Sequence, residues 1–174
     1  SWSNETGQSY TIKLSIDSDY LITSEQSVTN RGENPVALRP YGLINRKRDL
    51  NNIPPSEAST WTIHSGPVGV YDGAANYDVD YKNLAGQEPG FFASLFGTSA
   101  VAGTNSYDND VSWLGFTDKY WLSALVPDDI SSVEGRFRSG GSDIFQAEIA
   151  KKSPQIIGPG QQLKTTTRLF AGAK

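Results

Sequence analysis

The sequence predicts an antiparallel β-sandwich, and three observations favour this fold class. Apolar and polar residues alternate with a period of two, most clearly in residues 10–16, which is typical of a half-buried strand. About ten short segments of this kind are separated by turns rich in Gly, Pro, Asn and Asp. We find no internal repeat of the kind that a propeller or a barrel would show. We therefore expect an all-β chain with one or two short helices.

Ten segments are predicted as strands. They are residues 10–16, 20–30, 36–44, 61–71, 77–83, 113–117, 120–126, 134–139, 144–151 and 161–170. The first two form a hairpin through the turn at residues 17–19, which carries two Asp side chains. Pro40 cannot donate a ladder hydrogen bond, so the third strand is expected at a sheet edge or to contain a bulge.

Between residues 84 and 109 the alternation disappears, and this is where we expect a helix. Apolar side chains at spacings of one or two helical turns carry the prediction: Phe91, Phe92, Leu95 and Phe96. Two interpretations stay open. We favour a short helix that covers one end of the core, and the alternative is an exposed apolar patch that contacts a partner or the membrane surface.

Length and charge limit the class of protein. The 174 residues fit a single domain that can bury a core without staples. The 15 basic and 19 acidic residues argue against nucleic acid or anionic lipid as the main partner. Residues 89–107 carry no charge, but Gly, Ser, Thr and Asn interrupt them too often for a membrane-spanning helix. We expect a soluble chain, with any targeting or membrane segment outside it, since it begins at Ser1 and contains no Met.

Few residues could carry chemistry. The chain has no cysteine, and His64 is its only histidine, which excludes thiolate metal sites, His pairs and multi-His metal sites. A Ser-His-Asp triad needs one histidine, but no G-x-S-x-G elbow is present, so we expect His64 to be structural or on the surface. Residues 108–110 resemble the start of a calcium loop but lack its Gly and its final Glu. We predict no catalytic residue, no metal site and no cofactor.

Four aromatic residues lie within a stretch of nine positions: Trp113, Phe116, Tyr120 and Trp121. In a sandwich such a cluster more often indicates the core than a surface on which sugars stack. We therefore expect these side chains to be buried.

The same region resembles a known family. The segment W-L-G-F-T-D-K-Y-W from Trp113, continuing as L-S-A-L-V-P to Pro127, resembles the signature of the periplasmic domain of YidC-type membrane protein insertases, particularly those of alphaproteobacteria. Other segments agree in the same order: W-S-N-E-T-G from Trp2, S-I-D-S-D-Y from Ser15, V-T-N-R-G-E-N-P-V from Val28, P-Y-G-L-I-N-R from Pro40, H-S-G-P-V-G-V from His64 and P-G-Q-Q-L from Pro159. The resemblance spans nearly the whole chain.

This resemblance implies a fold, a location and a function. The fold is a β-supersandwich similar to galactose mutarotase, on the periplasmic side of the bacterial inner membrane. The implied role is non-catalytic: the domain assists insertion and folding of inner-membrane proteins as a scaffold or docking surface. The implied partners are accessory subunits of the Sec translocon and nascent membrane proteins, while the parent protein is embedded in the membrane. Family members carry more periplasmic sequence before the part that matches Trp2, so residues 1–174 are expected to be one domain, the C-terminal part of that region.

Two other functions remain open. A periplasmic carbohydrate-binding module on the same fold would need an open groove lined by solvent-exposed Trp or Tyr. A glycosidase-like enzyme is the weaker alternative, and it would need two carboxylates in a cleft within about 10 Å of each other.

Overall fold

A computed structural model describes residues 1–52, 64–86, 104–107, 110–141 and 143–174. In chain order, its strands are β1 (Trp2–Ser3), β2 (Gln8–Ile16), β3 (Ile22–Asn30), β4 (Val36–Leu38), β5 (Tyr41–Lys47), β6 (Gly66–Tyr71), β7 (Ala74–Asn76), β8 (Thr104–Tyr107), β9 (Val111–Thr117), β10 (Trp121–Pro127), β11 (Val133–Gly141), β12 (Ile144–Lys151), β13 (Gln155–Ile157) and β14 (Gln162–Ala173). The helical elements in these ranges are α1 (Tyr81–Gly86) and one 3-10 turn (Ile130–Ser132). The all-β prediction with few short helices is confirmed.

The described strands form three antiparallel sheets. The large sheet has the order β1-β2-β3-β14-β10-β9-β6-β7, the second sheet has the order β5-β12-β11-β8, and β13 pairs with β4 in a small sheet. The predicted hairpin of β2 and β3 pairs along its full length, from Gln8 opposite Asn30 to Ile16 opposite Ile22. The last strand, β14, lies between β3 and β10 near the middle of the large sheet.

The core lies where the large sheet and the second sheet face each other. Its buried members include Leu114, Phe116 and Leu125 from the large sheet, Phe137, Phe145 and Ile149 from the second sheet, and Tyr81 and Leu84 from α1. The aromatic rings meet in tilted or offset arrangements, such as Phe116 against Phe137 with centroids 5.9 Å apart. Burial of large side chains from both sheets is what holds the sheets together.

The third predicted strand, residues 36–44, is two strands. Val36–Leu38 belongs to the small sheet and Tyr41–Lys47 to the second sheet, with Arg39 and Pro40 between them. The physical reason is Pro40, which has no backbone N–H for a ladder and restricts the residue before it. Its carbonyl oxygen still accepts a hydrogen bond from the backbone N–H of Lys151 at 3.0 Å.

The strand predicted at residues 77–83 is wrong, because α1 begins at Tyr81. Two side chains cap the backbone here. Asn76 Oδ1 accepts a hydrogen bond from the backbone N–H of Asp78 at 3.0 Å, and Asp80 Oδ1 accepts one from that of Asn83 at 2.6 Å. A carboxylate that bonds the N–H three residues later is a helix N-cap, so local capping prevails over the alternation of apolar residues.

The long predicted helical region, residues 84–109, is described only at its two ends. Its first residues complete α1, while Thr104–Tyr107 is strand β8, which pairs with β11 at the edge of the second sheet. The prediction missed this strand, since its polar residues show no apolar alternation. Residues 87–103 lie outside the described residues.

A buried asparagine joins three parts of the fold. Asn30 is fully buried, and its Oδ1 accepts hydrogen bonds from Gln8 Nε2 at 2.9 Å and from the backbone N–H of Gly32 at 3.0 Å. Its Nδ2 donates to the carbonyl oxygens of Asn34 at 2.8 Å and Ile157 at 3.0 Å. All four hydrogen-bonding positions of the amide are therefore used.

Replacement of Asn30 by alanine is expected to lower the free energy of unfolding by about 2–3 kcal/mol, because buried backbone groups lose their partners. Urea denaturation of the unmodified protein and of the Asn30→Ala variant measures the change in the free energy of unfolding. Asn34→Ala is the matched control, since the Asn34 side chain is exposed and only its backbone carbonyl takes part. An equal, small loss in both variants would contradict the role of the Asn30 amide.

Candidate partner-binding surfaces

A cleft of about 390 Å³ opens between the large sheet and the second sheet. Its lining combines polar and apolar groups and includes Gln26 and Thr165 from the large sheet and Tyr41 and Lys151 from the second sheet. Gln26 Nε2 donates a hydrogen bond to the Tyr41 carbonyl oxygen at 3.1 Å, which ties β3 to β5 across the cleft. Such a lining offers hydrogen-bonding groups to a polar ligand or an extended peptide.

The charged groups at the cleft are already paired. Asp129 caps the 3-10 turn, where its carboxylate accepts hydrogen bonds from the backbone N–H of Ser131 at 3.2 Å and its hydroxyl at 2.9 Å. Hydrogen bonds from Ser132 and Ser131 lower the pKa of Asp129, so this carboxyl stays ionised and is not suited to act as a general acid. Asp128 lies 3.4 Å from a guanidinium nitrogen of Arg168. The carboxylates of Asp128 and Asp129 are therefore engaged in contacts within the fold.

The His64 side chain contacts two neighbouring residues, Pro67 and Tyr77. Its Nε2 lies 2.8 Å from the carbonyl oxygen of Pro67, and since a carbonyl can only accept, Nε2 carries the proton and donates. The ring of Tyr77 contacts the imidazole edge-on, with centroids 5.4 Å apart. The nitrogen that a catalytic triad would use to take a proton from serine is occupied.

A shallower depression of about 370 Å³ lies beside His64. Its lining includes Tyr77, Trp113, Lys119 and Lys174. Tyr77 is 55% exposed, whereas Trp113 is half-buried. Lys174 Nζ donates a hydrogen bond to the Thr117 hydroxyl at 2.7 Å, so one polar group of the lining is already engaged.

The end of the β9–β10 hairpin displays two large aromatic side chains, Tyr120 in the turn and Trp121 at the start of β10, and we call residues 118–121 the aromatic tip. Tyr120 is 65% exposed and Trp121 is 61% exposed, while Phe116 is buried. The prediction of a buried cluster is correct for Phe116, but it is wrong for Tyr120 and Trp121. The pairing of β9 with β10 ends at Thr117, so the residues after it project past the core.

Two backbone hydrogen bonds and an ion pair support the aromatic tip. The backbone N–H of Asp118 donates to the Trp121 carbonyl oxygen at 2.8 Å, and the N–H of Lys174 donates to the Tyr120 carbonyl oxygen at 3.1 Å. The Asp118 carboxylate is paired with Arg46 of β5 and so links the tip to the second sheet. The two aromatic rings are therefore presented to solvent from a supported turn.

The inner face of the large sheet continues beyond the second sheet. Residues directly opposite one another in a sheet point to the same face, and one such row runs through Leu114, Leu125, Leu169, Ile22 and Ile16. Leu114 and Leu125 are buried, Leu169 and Ile22 are half-buried, and Ile16 is 61% exposed. The face that forms the core thus extends onto β2, where the described part of the second sheet no longer covers it.

The apolar patch predicted from the sequence is Phe91, Phe92, Leu95 and Phe96, and it lies outside the described residues.

Within the described ranges, no three His, Cys, Asp or Glu side chains converge closely enough to hold a metal ion. In the same ranges, no helix has the length and apolar character needed to cross a bilayer.

The solved structures define the class of fold. A crystal structure of a protein described as an aldose 1-epimerase, from Escherichia coli K12, superposes with a TM-score of 0.51 at 9% sequence identity. The match covers 100% of this chain and 63% of that chain. At this identity the likeness concerns the fold alone, and it confirms the predicted galactose-mutarotase-like supersandwich.

The sequence comparisons then define the family. Residues 1–174 match the family described as the YidC periplasmic domain, and the chain belongs to that family. This confirms the resemblance carried by residues 113–127 and places the chain on the periplasmic side of the inner membrane.

Curated relatives are named membrane protein insertase YidC. The protein of Zymomonas mobilis is 36% identical over 176 residues, which cover 99% of this chain and 27% of the relative. That of Granulibacter bethesdensis is 36% identical over 177 residues, covering 100% of this chain and 28% of the relative. That of Rickettsia felis is 32% identical and covers 99% and 28%. The chain therefore spans roughly a quarter of the length of these relatives.

Sequence reasoning missed both the aromatic tip and the uncovered face of β2. A signal for the tip exists, because Tyr120 and Trp121 directly follow the turn residues Asp118 and Lys119, and a hairpin end lies at the rim of a sandwich. No local signal marks the uncovered face of β2. Alternation shows which side chains share a face and says nothing about whether a second layer covers that face.

Proposed function

We propose that this chain is a non-catalytic scaffold or docking domain of a membrane protein insertase. It assists insertion and folding of inner-membrane proteins by binding accessory subunits of the Sec translocon and nascent membrane proteins. Membership in the YidC periplasmic domain family and the names of the relatives support this function. The tie between His64 and Pro67 and the pairing of the cleft carboxylates support the absence of enzyme activity.

The observation that carries the docking function is the aromatic tip. Exposed Tyr and Trp side chains on a supported turn are the residue types that dominate binding energy at protein interfaces. They lose little conformational freedom on binding, since each has only two side-chain torsions. The patch of Phe91, Phe92, Leu95 and Phe96 is a second proposed contact.

The carbohydrate-binding alternative is less well supported. It needs an open groove with several exposed aromatic rings, and the depression beside His64 has Tyr77 exposed but Trp113 half-buried. The family and the names of the relatives favour docking to proteins.

Photocrosslinking in the full-length parent insertase tests the docking function. A photoreactive residue at Trp121 is expected to give adducts with a subunit of the translocon or with a nascent membrane protein. The same residue at Ile156, which is apolar and 77% exposed but lies on the small sheet, is the matched control and should give few adducts. Equal yields at both positions would contradict docking through the tip, and adducts from Phe92 alone would place the contact at the other patch.

Removal of the two aromatic rings provides a second test of docking through the aromatic tip. With the photoreactive residue placed at Lys119 instead, Tyr120→Ala with Trp121→Ala should lower the yield of the translocon adduct at least several-fold, whereas the melting temperature should change by only a few degrees because both side chains are exposed. A melting temperature lowered as much as that of a core variant would mean that the rings stabilise the fold instead.

A further inference from the structure

The depression beside His64 lies on the outer face of the large sheet, away from the core. On β9 the even-numbered residues point into the core, so Trp113 and Thr117 point outward. Leu122 lies directly opposite Thr117 on β10 and therefore faces the same way. These side chains and the exposed ring of Tyr77 line a space of about 370 Å³. A space of this size and partly apolar lining accepts side chains of a partner.

Two lysine side chains also line this depression, Lys119 and Lys174. Lys174 Nζ donates a hydrogen bond to the Thr117 hydroxyl at 2.7 Å, and Lys119 Nζ lies 5.3 Å from the ring centroid of Tyr120. Neither ammonium group forms an ion pair with a carboxylate in the described ranges. An ammonium group has three donors, so both lysines retain capacity to bind a further acceptor.

The two uncompensated lysines stand out in an acidic chain, whose formal net charge is -4. Elsewhere on the large sheet a lysine is paired, as Lys164 is with Glu25 at 2.6 Å. The carboxylate next to Lys119 in the sequence, Asp118, is paired instead with Arg46 of the second sheet. Positive charge without an internal partner, beside an apolar depression, is complementary to a negatively charged partner.

We propose that the depression beside His64 binds an acidic segment of the protein that docks at the aromatic tip. Carboxylates of that segment pair with Lys119 and Lys174, and an apolar side chain between them packs against Trp113. This inference rests on the proposed docking function and adds the chemistry of the partner.

The depression and the aromatic tip form one continuous surface. Lys119 belongs to both, and the backbone N–H of Lys174 donates a hydrogen bond to the Tyr120 carbonyl oxygen at 3.1 Å. A partner that contacts the exposed rings of Tyr120 and Trp121 therefore has the two ammonium groups within reach of its next residues.

A peptide fits this feature better than an anionic lipid surface. A bilayer surface is broad and cannot follow a depression, whereas a peptide can extend a single side chain into it. The negative net charge of the chain also opposes its approach to an anionic bilayer, while short-range pairing with a few carboxylates is affected much less.

Binding of synthetic peptides to the full-length parent insertase, purified in an uncharged detergent, tests the charge requirement. One probe carries Glu-Leu-Glu between Gly-Ser flanks, and the other carries Gln-Leu-Gln in the same flanks. We expect the acidic probe to bind about tenfold more tightly, because two partly exposed ion pairs each add a few-fold in affinity. Added salt should reduce this difference. Fluorescence anisotropy of the labelled probes measures both dissociation constants.

Variants of the parent locate the binding. Lys119→Gln combined with Lys174→Gln should remove the preference for the acidic probe, whereas Lys119→Arg combined with Lys174→Arg should retain it. Lys47→Gln is the matched control, because Lys47 is exposed and outside the ion pairs of the described ranges but lies on the second sheet. This control should also retain the preference.

Three outcomes would overturn the proposal. Equal affinity of the two probes for the unmodified parent would mean that charge is not recognised. A preference that survives in the double Gln variant would place the acidic site elsewhere in the parent. Binding of a short-chain anionic phospholipid that depends on the two lysines, without binding of the acidic probe, would assign the depression to the membrane surface.

Failure of the docking function gives a different result. Photoadducts from Trp121 would then be absent in the unmodified parent, while the peptide titration, which needs no cellular partner, still decides whether the depression prefers acidic peptides. Conversely, translocon adducts from Trp121 with the same yield in the unmodified parent and in the double Gln variant would leave docking intact and overturn the acidic segment.

Discussion

Replacement of Gly115 by alanine is expected to destabilise the large sheet strongly. A Cβ atom at this position would lie 1.8 Å from the carbonyl oxygen of Ser123 and 2.8 Å from the Cα atom of Ala124. Both are backbone atoms of β10, so no side-chain rotation relieves the contact. Gly115 lies in the interior of the sheet, opposite Ala124 on one side and Val68 on the other. Separating β9 from β10 would break the ladder there, and we expect a loss of about 4 kcal/mol or more in the free energy of unfolding.

The loss is measured by chemical denaturation, with Gly42→Ala as the matched control. Gly42 also lies in a strand, but its added Cβ would meet its nearest neighbour, a methyl group of Thr167, at 3.7 Å, which is an ordinary contact. This variant should change the free energy of unfolding by about 1 kcal/mol or less. Similar stability of the two variants would contradict the close approach of β9 and β10.

Replacement of Phe137 by alanine is expected to cost about 3–5 kcal/mol, because it opens a cavity between the two main sheets. Phe137 is only 1% exposed. Its ring lies 5.9 Å from that of Phe116 across the core and 6.3 Å from that of Tyr107 on the neighbouring strand. Its removal therefore takes away both an inter-sheet contact and a contact within the second sheet.

Two further variants provide stability losses with which the loss in Phe137→Ala can be compared. Phe137→Leu leaves a smaller cavity and should cost less than the alanine variant. Ile156→Ala removes an apolar side chain that is 77% exposed, so it should be close to neutral. If Phe137→Ala costs no more than Ile156→Ala, the two sheets are not held together by this ring. Calorimetry of the four proteins provides the comparison.

The sequence predicts well those elements whose signal is local. Strands β2 and β3 and their connecting turn follow from the alternation and from Asp17, whose carboxylate accepts hydrogen bonds from the backbone N–H of Asp19 and Leu21, each at 2.9 Å. The strands from β9 to β12 are also found close to their predicted bounds. In each case side-chain periodicity and turn chemistry favour the same conformation, which is the condition for a reliable prediction.

The errors arise where one residue imposes a backbone conformation that differs from the one its neighbours favour. Pro40 divides a predicted strand, and Asp80 starts a helix in a segment whose apolar residues alternate. Val79 and Tyr81 are both buried, so the apolar pattern correctly marked burial while it gave the wrong secondary structure. Burial and backbone conformation are separate properties, and period-two patterning over a few residues reports the first more dependably.

The candidate surfaces were harder to predict than the fold. The exposure of Trp121 depends on where the pairing of β9 with β10 ends, and the uncovered face of β2 depends on which strands are neighbours in the sheet. Both are properties of tertiary arrangement. Composition, by contrast, is available from the sequence alone, and one histidine with no cysteine leaves few catalytic constellations to consider.

The position of β14 also determines when the domain can fold. β14 lies between β3 and β10, so the N-terminal hairpin joins the rest of the large sheet only after the last strand has been made. Thr29 and its partner Gln162 are 133 positions apart. At about 5–20 residues per second, a ribosome needs on the order of ten seconds to synthesise the intervening chain. Throughout that interval the edge of β3 that later binds β14 stays unpaired, so a domain built this way completes its folding late in its own synthesis.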